Sequence, residues 1–194
     1  MIKAIVTGAY STGKSGMVEA LASTLRNDGL SVIQVQDVAR TCPLPLNEAQ
    51  AEATTLWLLT TQVSREIEAS SQVAQIMLCD RGVPDILAHD RERDRRLNMP
   101  LADKIRPFSE KWIDTYDVVL LSRVDQSIPI EPDGLRSCDD AYRTRLDARA
   151  AEVLDRRPDT VTLAHCPLER LRQAREAISV SLATSRSSPT RRMM

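Results

Sequence analysis

Aromatic side chains are nearly absent from this sequence. Two tryptophans, three tyrosines and one phenylalanine amount to 3% of 194 residues. The core must therefore be aliphatic, and a surface that grips single strands mainly by stacking bases on aromatic platforms is excluded. An excess of charge of either sign is also missing. The 26 lysines and arginines oppose 27 aspartates and glutamates, for a formal net charge of −1, so the molecule has no general attraction for polyanions. The two histidines, His89 and His165, stand alone and read as packing residues. Cys42, Cys79, Cys138 and Cys166 are far apart and form no metal-ligand spacing. Cys79 and Cys166 are expected to close buried strands, where a thiol behaves as a small hydrophobe. No apolar run approaches the ~18 residues of a membrane span and no secretory pattern opens the sequence. The expectation is a soluble, cytoplasmic protein with no membrane partner. Nothing in the sequence specifies an oligomeric state.

Against these absences, hydrophobic residues make up 42% of the chain, too many for a disordered one. Apolar runs alternate with helical patterns. Strands are predicted at 2–7, 31–36, 73–79, 117–122 and 160–166, with helices at 14–28, 101–115, 139–156 and 167–184. Asn47 is expected to cap a long helix in which Leu56, Leu59, Val63 and Ile67 form one buried stripe. Pro84 suits the first position of another helix. Strands and helices alternating in this way indicate a parallel sheet covered on both faces, an α/β fold. One domain over 1–184 with a flexible tail at 185–194 accounts for the whole length.

Between the first strand and first helix stands "GAYSTGKS", residues 8–15, matching the phosphate-loop pattern G-x-x-x-x-G-K-[ST]. Glycines permit a tight turn whose N–H groups point inward at phosphate oxygens, and the helix N-terminus adds partial positive charge there. Gly8, Ser11, Thr12, Gly13, Lys14, Ser15 and Gly16 are the expected triphosphate-binding residues. Lys14 is expected to reach the β- and γ-phosphates, and Ser15 to ligate Mg²⁺.

In an open parallel sheet, ligands bind beyond the carboxyl ends of the strands. The second strand ends in "QDVAR" and the third in "CDRG", which places Asp37, Arg40, Asp80 and Arg81 in front of the loop. Phosphoryl transfer uses such groups: one acid on the metal side, another to accept a hydroxyl proton, and arginines to neutralise charge. Two other readings stay open. Asp80 can cap the following helix, and Asp37 with Arg40 can be a solvated pair. Asp85 reads as support for its own helix.

"GAYSTGKS", "DVAR", "TTLWLLTTQVSREIE" and "CDRGVPDILAH" together resemble the P-loop nucleoside and nucleotide kinases. The resemblance is strongest to the AAA-domain-like group that includes nicotinamide riboside kinase domains. Phage kinases acting on hydroxymethyluridine in DNA belong to the same broad class. The resemblance covers residues 1–90 well and the remainder more loosely. It implies a three-layer P-loop kinase fold with a five-stranded parallel sheet, helices on both faces and a lid at about 129–150. It also implies ATP, or another NTP, and Mg²⁺ as cofactors. Asp37 stands where such kinases usually carry a glutamate that acts as base or binds the acceptor. Asp80 and Arg81 correspond to a metal-side acid and a phosphate- or acceptor-binding arginine. The resemblance thus marks Lys14, Asp37, Asp80, Arg136 and Arg143 as catalytic, Asp37, Arg40, Trp57 and Arg81 as acceptor-binding, and Ser15 and Asp80 as metal-binding.

Arg136 and Arg143, with Arg145 behind them, are the expected lid arginines. Pairing of Arg143 with Asp139 on an exposed helix is the alternative, just as core packing is for Trp57. The stretch "DRERDRRLNMP" reads first as a solvated face, its arginines 91, 93, 95 and 96 balanced by acids. Together with Arg186, Arg191 and Arg192 it is the one hint of a polymeric acceptor. The function expected from all of this is ATP- and Mg²⁺-dependent transfer of a γ-phosphate to a hydroxyl. The acceptor is a nucleoside, a nucleotide, or a hydroxymethylated base within DNA. A P-loop NTPase acting as switch or motor is the alternative, although no guanine-reading "NKxD" follows the fourth strand. A regulatory module without turnover fits less well with intact Lys14, Ser15, Asp37 and Asp80.

Overall fold

The computed structural model describes residues 1–94, 102–130 and 137–187. Its centre is a run of aliphatic strands. β1 (Ile2–Thr7), β3 (Ile76–Asp80) and β4 (Val118–Ser122) are buried almost throughout, as strands covered on both faces must be. β2 (Val32–Val35) and β5 (Val161–Leu163) flank them. All pairings are parallel, in the order β2-β3-β1-β4-β5. The two-residue period of a strand then divides the core. Ala4, Val6, Leu78 and Leu120 face α1 (Lys14–Asn27) and α6 (Pro167–Ser187). Ile5, Met77, Cys79 and Val119 face the opposite layer. That layer holds α2 (Glu52–Ser70), α3 (Val83–Asp94), α4 (Ala102–Ile113) and α5 (Asp140–Leu154). The result is the expected three-layer P-loop kinase fold. Val6 lies opposite Asp80 in the register, so the ends of β1 and β3 deliver their loops to one place.

Several local expectations fail for identifiable reasons. α2 begins at Glu52, whereas Asn47 opens a short 3-10 turn with φ 57°. At the true start, the Thr54 hydroxyl accepts from the Ala51 N–H at 3.4 Å and donates to the Pro45 carbonyl at 3.1 Å. The buried face of α2 is also rotated from the expected one. Leu56 and Ile67 are 42% and 54% exposed, whereas Leu58, Leu59, Gln62 and Glu66 are buried. Glu66 explains the rotation. Its carboxylate accepts from Tyr116 Oη at 2.7 Å, Trp112 Nε1 at 2.8 Å and Gln62 Nε2 at 2.8 Å, and it pairs with Lys3 Nζ at 2.5 Å. Without such partners, burying a carboxylate would cost several kcal/mol, on the order of the stability of a whole domain.

Cys166 is exposed while Cys79 is buried. β5 stops at Leu163, and the next N–H, that of Ala164, turns to the Gln173 side chain at 2.8 Å. The region expected to be a lid is partly built into the body, because Leu146 and Ala150 of α5 are 1% exposed. Residues 131–136, which include Arg136, lie outside the described residues, as do Arg95, Arg96, Arg191 and Arg192. α6 runs to Ser187, into the stretch expected as tail. Among the described residues, no helix is long and apolar enough to cross a membrane.

Candidate active site

Gly8 turns the chain out of β1 at φ +131°, and a Cβ there would lie 2.1 Å from the Ser122 carbonyl oxygen. Only glycine fits that approach. Gly13 takes φ +73° immediately before Lys14 opens α1. Lys14 is 3% exposed. Its ammonium donates to the Ala9 carbonyl and to Thr12 Oγ1, the latter at 3.2 Å. Burial, aided by the like charge of Arg81, lowers Lys14 to about 7, against the pull of Asp85, Asp80 and Asp37.

That value makes anion binding pH-dependent. A triphosphate placed on the ammonium restores the charged form, so binding takes up a proton above pH ~7 and none below it. ATP affinity is expected to fall by up to about tenfold per pH unit above 7. Calorimetry in buffers of different ionisation enthalpy reads the proton directly. A constant affinity with no proton uptake from pH 6 to 9 would show an ammonium already charged.

The loop is braced from behind. Arg170 Nη1 of α6 donates to the Thr12 carbonyl at 2.9 Å and Nη2 to Ser122 Oγ, which itself donates to Thr12 O at 3.1 Å. This arginine escaped the sequence reading, since 158 positions separate it from Thr12 and no local motif marks it. A cleft runs along the outer side of the loop. Residues 11–17 form one wall, and Ile128, Pro129, His165, Leu168, Arg170 and Leu171 contribute to the other. N–H-rich backbone facing apolar side chains suits a phosphate chain that carries a planar base.

A second cleft opens beyond the ends of β2 and β3. Asp37, Arg40, Gln62, Arg81, Asp85 and His89 are among its walls. The alternative reading, a solvated Asp37–Arg40 pair, is not what forms. Asp37 Oδ2 lies 3.0 Å from Arg81 Nε, while Oδ1 accepts from the Ala39 N–H at 2.9 Å. Arg40 stands exposed on the rim. Arg81 sits in the left-handed region at φ 67° and donates its N–H to the Val6 carbonyl at 3.0 Å.

Asp85 does more than support its own helix. It accepts from the Thr7 hydroxyl at 2.7 Å and from the Gly8 and Gly82 N–H groups at 3.1 Å each. The end of β1, the start of the phosphate loop and the start of α3 thus meet on one carboxylate. Burial pushes its pKa up, and Arg81, Lys14 and these donors oppose the rise. His89 also lies in this cleft, its Nδ1 3.0 Å from the Tyr142 hydroxyl of α5. Burial and the nearby Arg81 and Lys14 lower it to about 3, so it stays neutral.

Other expected site residues lie elsewhere. Trp57 packs against the core and is not part of either cleft wall. Arg143 is 1% exposed, with Nη1 donating to the Ile128 carbonyl at 2.9 Å and Nη2 on Asp140 at 2.6 Å. It holds a wall of the outer cleft from behind rather than facing it. Arg145 is held by Glu92 at 2.7 Å.

Ser15 and Arg81 belong to both clefts. Asp80, at the end of β3, is 2% exposed, and its Oδ1 has no hydrogen-bond partner among the described residues. A hydroxyl on Ser15 and an orphaned carboxylate oxygen are the hard oxygen donors that Mg²⁺ takes, commonly through its waters. No group of three or more acids, histidines or cysteines clusters among the described residues.

A family model described as an AAA domain matches residues 3–170. The fold is shared with a NadR protein solved in complex with NR, at TM-score 0.74 and 16% identity over 94% of this chain. It is also shared with a NadR protein in complex with NAD and AMP-PNP, at TM-score 0.70 and 17% identity over 94% of this chain. The chain spans about half of each NadR chain, 52% and 49%. A search of curated proteins finds no match.

Proposed function

The chain belongs to the AAA-domain family, and from that premise we propose that it transfers the γ-phosphate of ATP, with Mg²⁺, to a hydroxyl of a nucleoside- or nucleotide-type acceptor. One observation carries this reading. The cleft along the phosphate loop and the cleft beyond β2 and β3 share Ser15 and Arg81 as common wall. A hydrolytic switch needs only a water beyond the γ-phosphate; here a second cleft with Asp37, Arg40 and Arg81 in its walls adjoins the phosphate loop at Ser15.

Bound Mg²⁺, held by Ser15 and Asp80, would supply charge neutralisation on the β- and γ-phosphate oxygens. Lys14 and the loop N–H groups carry the remaining charge. Asp37 accepts the proton of the acceptor hydroxyl as its oxygen bonds to the γ-phosphorus, and the bond to ADP breaks. Arg81 steers Asp37 and faces the travelling phosphoryl group. His89, being neutral, hydrogen-bonds without adding charge.

A small acceptor is favoured over a base within DNA. Of the charged stretch after β3, Arg91 is paired with Glu110 at 3.0 Å and Arg93 with Asp90 at 2.7 Å. These guanidinium groups are engaged by protein carboxylates rather than offered to a polymer. The test uses γ-labelled ATP with a panel of nucleosides that includes nicotinamide riboside, mononucleotides, and duplex DNA carrying hydroxymethylated bases. Label moving to a nucleoside or nucleotide is expected. Label appearing only as free phosphate, whatever is added, would replace this reading with that of an NTPase.

A further inference from the structure

The inner cleft contains a polar group whose orientation is dictated from outside it. Gln62 of α2 is fully buried and contributes to the cleft wall. Its amide nitrogen donates to Glu66 Oε1 at 2.8 Å, whereas its carbonyl oxygen Oε1 has no hydrogen-bond partner among the described residues. An amide can usually be turned end for end without visible change. This one cannot be. Glu66 also accepts from Tyr116 and Trp112 and pairs with Lys3, so what it offers Gln62 is an acceptor. The NH₂ of Gln62 must therefore face Glu66, and the carbonyl must face away from it.

The surroundings hold that arrangement in place. Tyr116 Oη, which donates to Glu66, accepts from the Val83 N–H at 3.3 Å. A Cβ at Gly82 would come within 2.6 Å of the same hydroxyl. Lys3 lies 4.5 Å from the centroid of the Trp112 ring and 4.3 Å from that of Tyr116. Leu58 and Ile86, also in the cleft wall, are buried and apolar, so they supply no donor. A buried, partnerless carbonyl in the wall of a cleft is costly unless something that enters the cleft donates to it.

We infer that the Gln62 carbonyl reads a hydrogen-bond donor on the acceptor, an N–H of the base at the end remote from the phosphorylated hydroxyl. The acceptor is thus a nucleoside-type molecule whose base carries an N–H donor, such as an amino or carboxamide group. This rests on the proposed transfer reaction and adds the chemistry by which its substrate is chosen.

Deletion pairs test it on the unaltered protein. Adenosine is compared with purine riboside, cytidine with its analogue lacking the 4-amino group, and nicotinamide riboside with its dimethylcarboxamide analogue. For the pair that contains the best acceptor, the donor-bearing member is expected to lead by roughly 10–100-fold in kcat/KM. Gln62→Met, which keeps the length and removes the carbonyl, is expected to collapse that ratio toward one while KM for ATP stays unchanged. A merely structural Gln62 would lower the melting temperature and leave the ratio intact. Equal rates within every pair, or a ratio that survives Gln62→Met, overturn the inference while transfer to a nucleoside stands. Label released only as free phosphate overturns the transfer reading and this inference with it.

Discussion

Lys14→Ala is expected to lower phosphoryl transfer by about 10²–10³-fold or more, the scale set by removing one group that stabilises transition-state charge. The nucleotide-free fold is not expected to suffer. Lys14 is held at about 7 by burial, against an ordinary value near 10.4 in the unfolded chain. Between these values the unfolded chain binds the extra proton, so stability rises with pH across that window and the handicap is fully present below it. Alanine removes both the handicap and the slope. Thermal melts from pH 6 to 10 should therefore show a shallower pH dependence in the variant, with a melting temperature at pH 7 no lower than that of the parent. A variant that transfers phosphate at the parent rate would end the P-loop assignment, because that assignment puts Lys14 on the transferred phosphoryl group.

Asp37→Asn is expected to cost about 10²–10⁴-fold in kcat, the range for loss of a general base, with ATP affinity changed less than threefold. The substitution is close to isosteric. An amide oxygen still accepts from the Ala39 N–H, so the turn after β2 is retained. What disappears is the proton acceptor and the charge facing Arg81 at 3.0 Å. Arg81 keeps Asp85, 3.7 Å away, and so remains anchored near both clefts. Single-turnover transfer and equilibrium ATP binding, measured side by side, separate the roles. Equal losses in the two would make Asp37 a support for Arg81 and not a base.

The parts of this molecule that were legible in its sequence share one property: their partners lie close along the chain. The phosphate loop needs only residues 8–15, and its glycines declare the turn. The strand-end acids could be placed because a parallel sheet puts its ligands at carboxyl ends. Long-range pairing was not legible. Asp85 looked like one more acid at a helix start, yet its donors Thr7 and Gly8 lie 78 and 77 positions away. Gln62 and Glu66 drew no expectation at all, because periodicity counts apolar residues and cannot foresee a carboxylate supplied with donors from β1, α4 and Tyr116. That one cluster turned the helix and brought Leu56 and Ile67 to the surface. Arg143 misled for the opposite reason. An arginine on a charged helix suggests a surface, and here it is among the most buried side chains.

Because Ser15 and Arg81 line both clefts, the two clefts meet at these side chains. A single compound in which a nucleoside is tethered to adenosine through a short phosphate chain would span the pair. Linking turns the second binding event into an intramolecular one, with an effective concentration of about millimolar or higher when the tether matches the span. The tether length that binds best would then serve as a ruler for the distance the phosphoryl group travels.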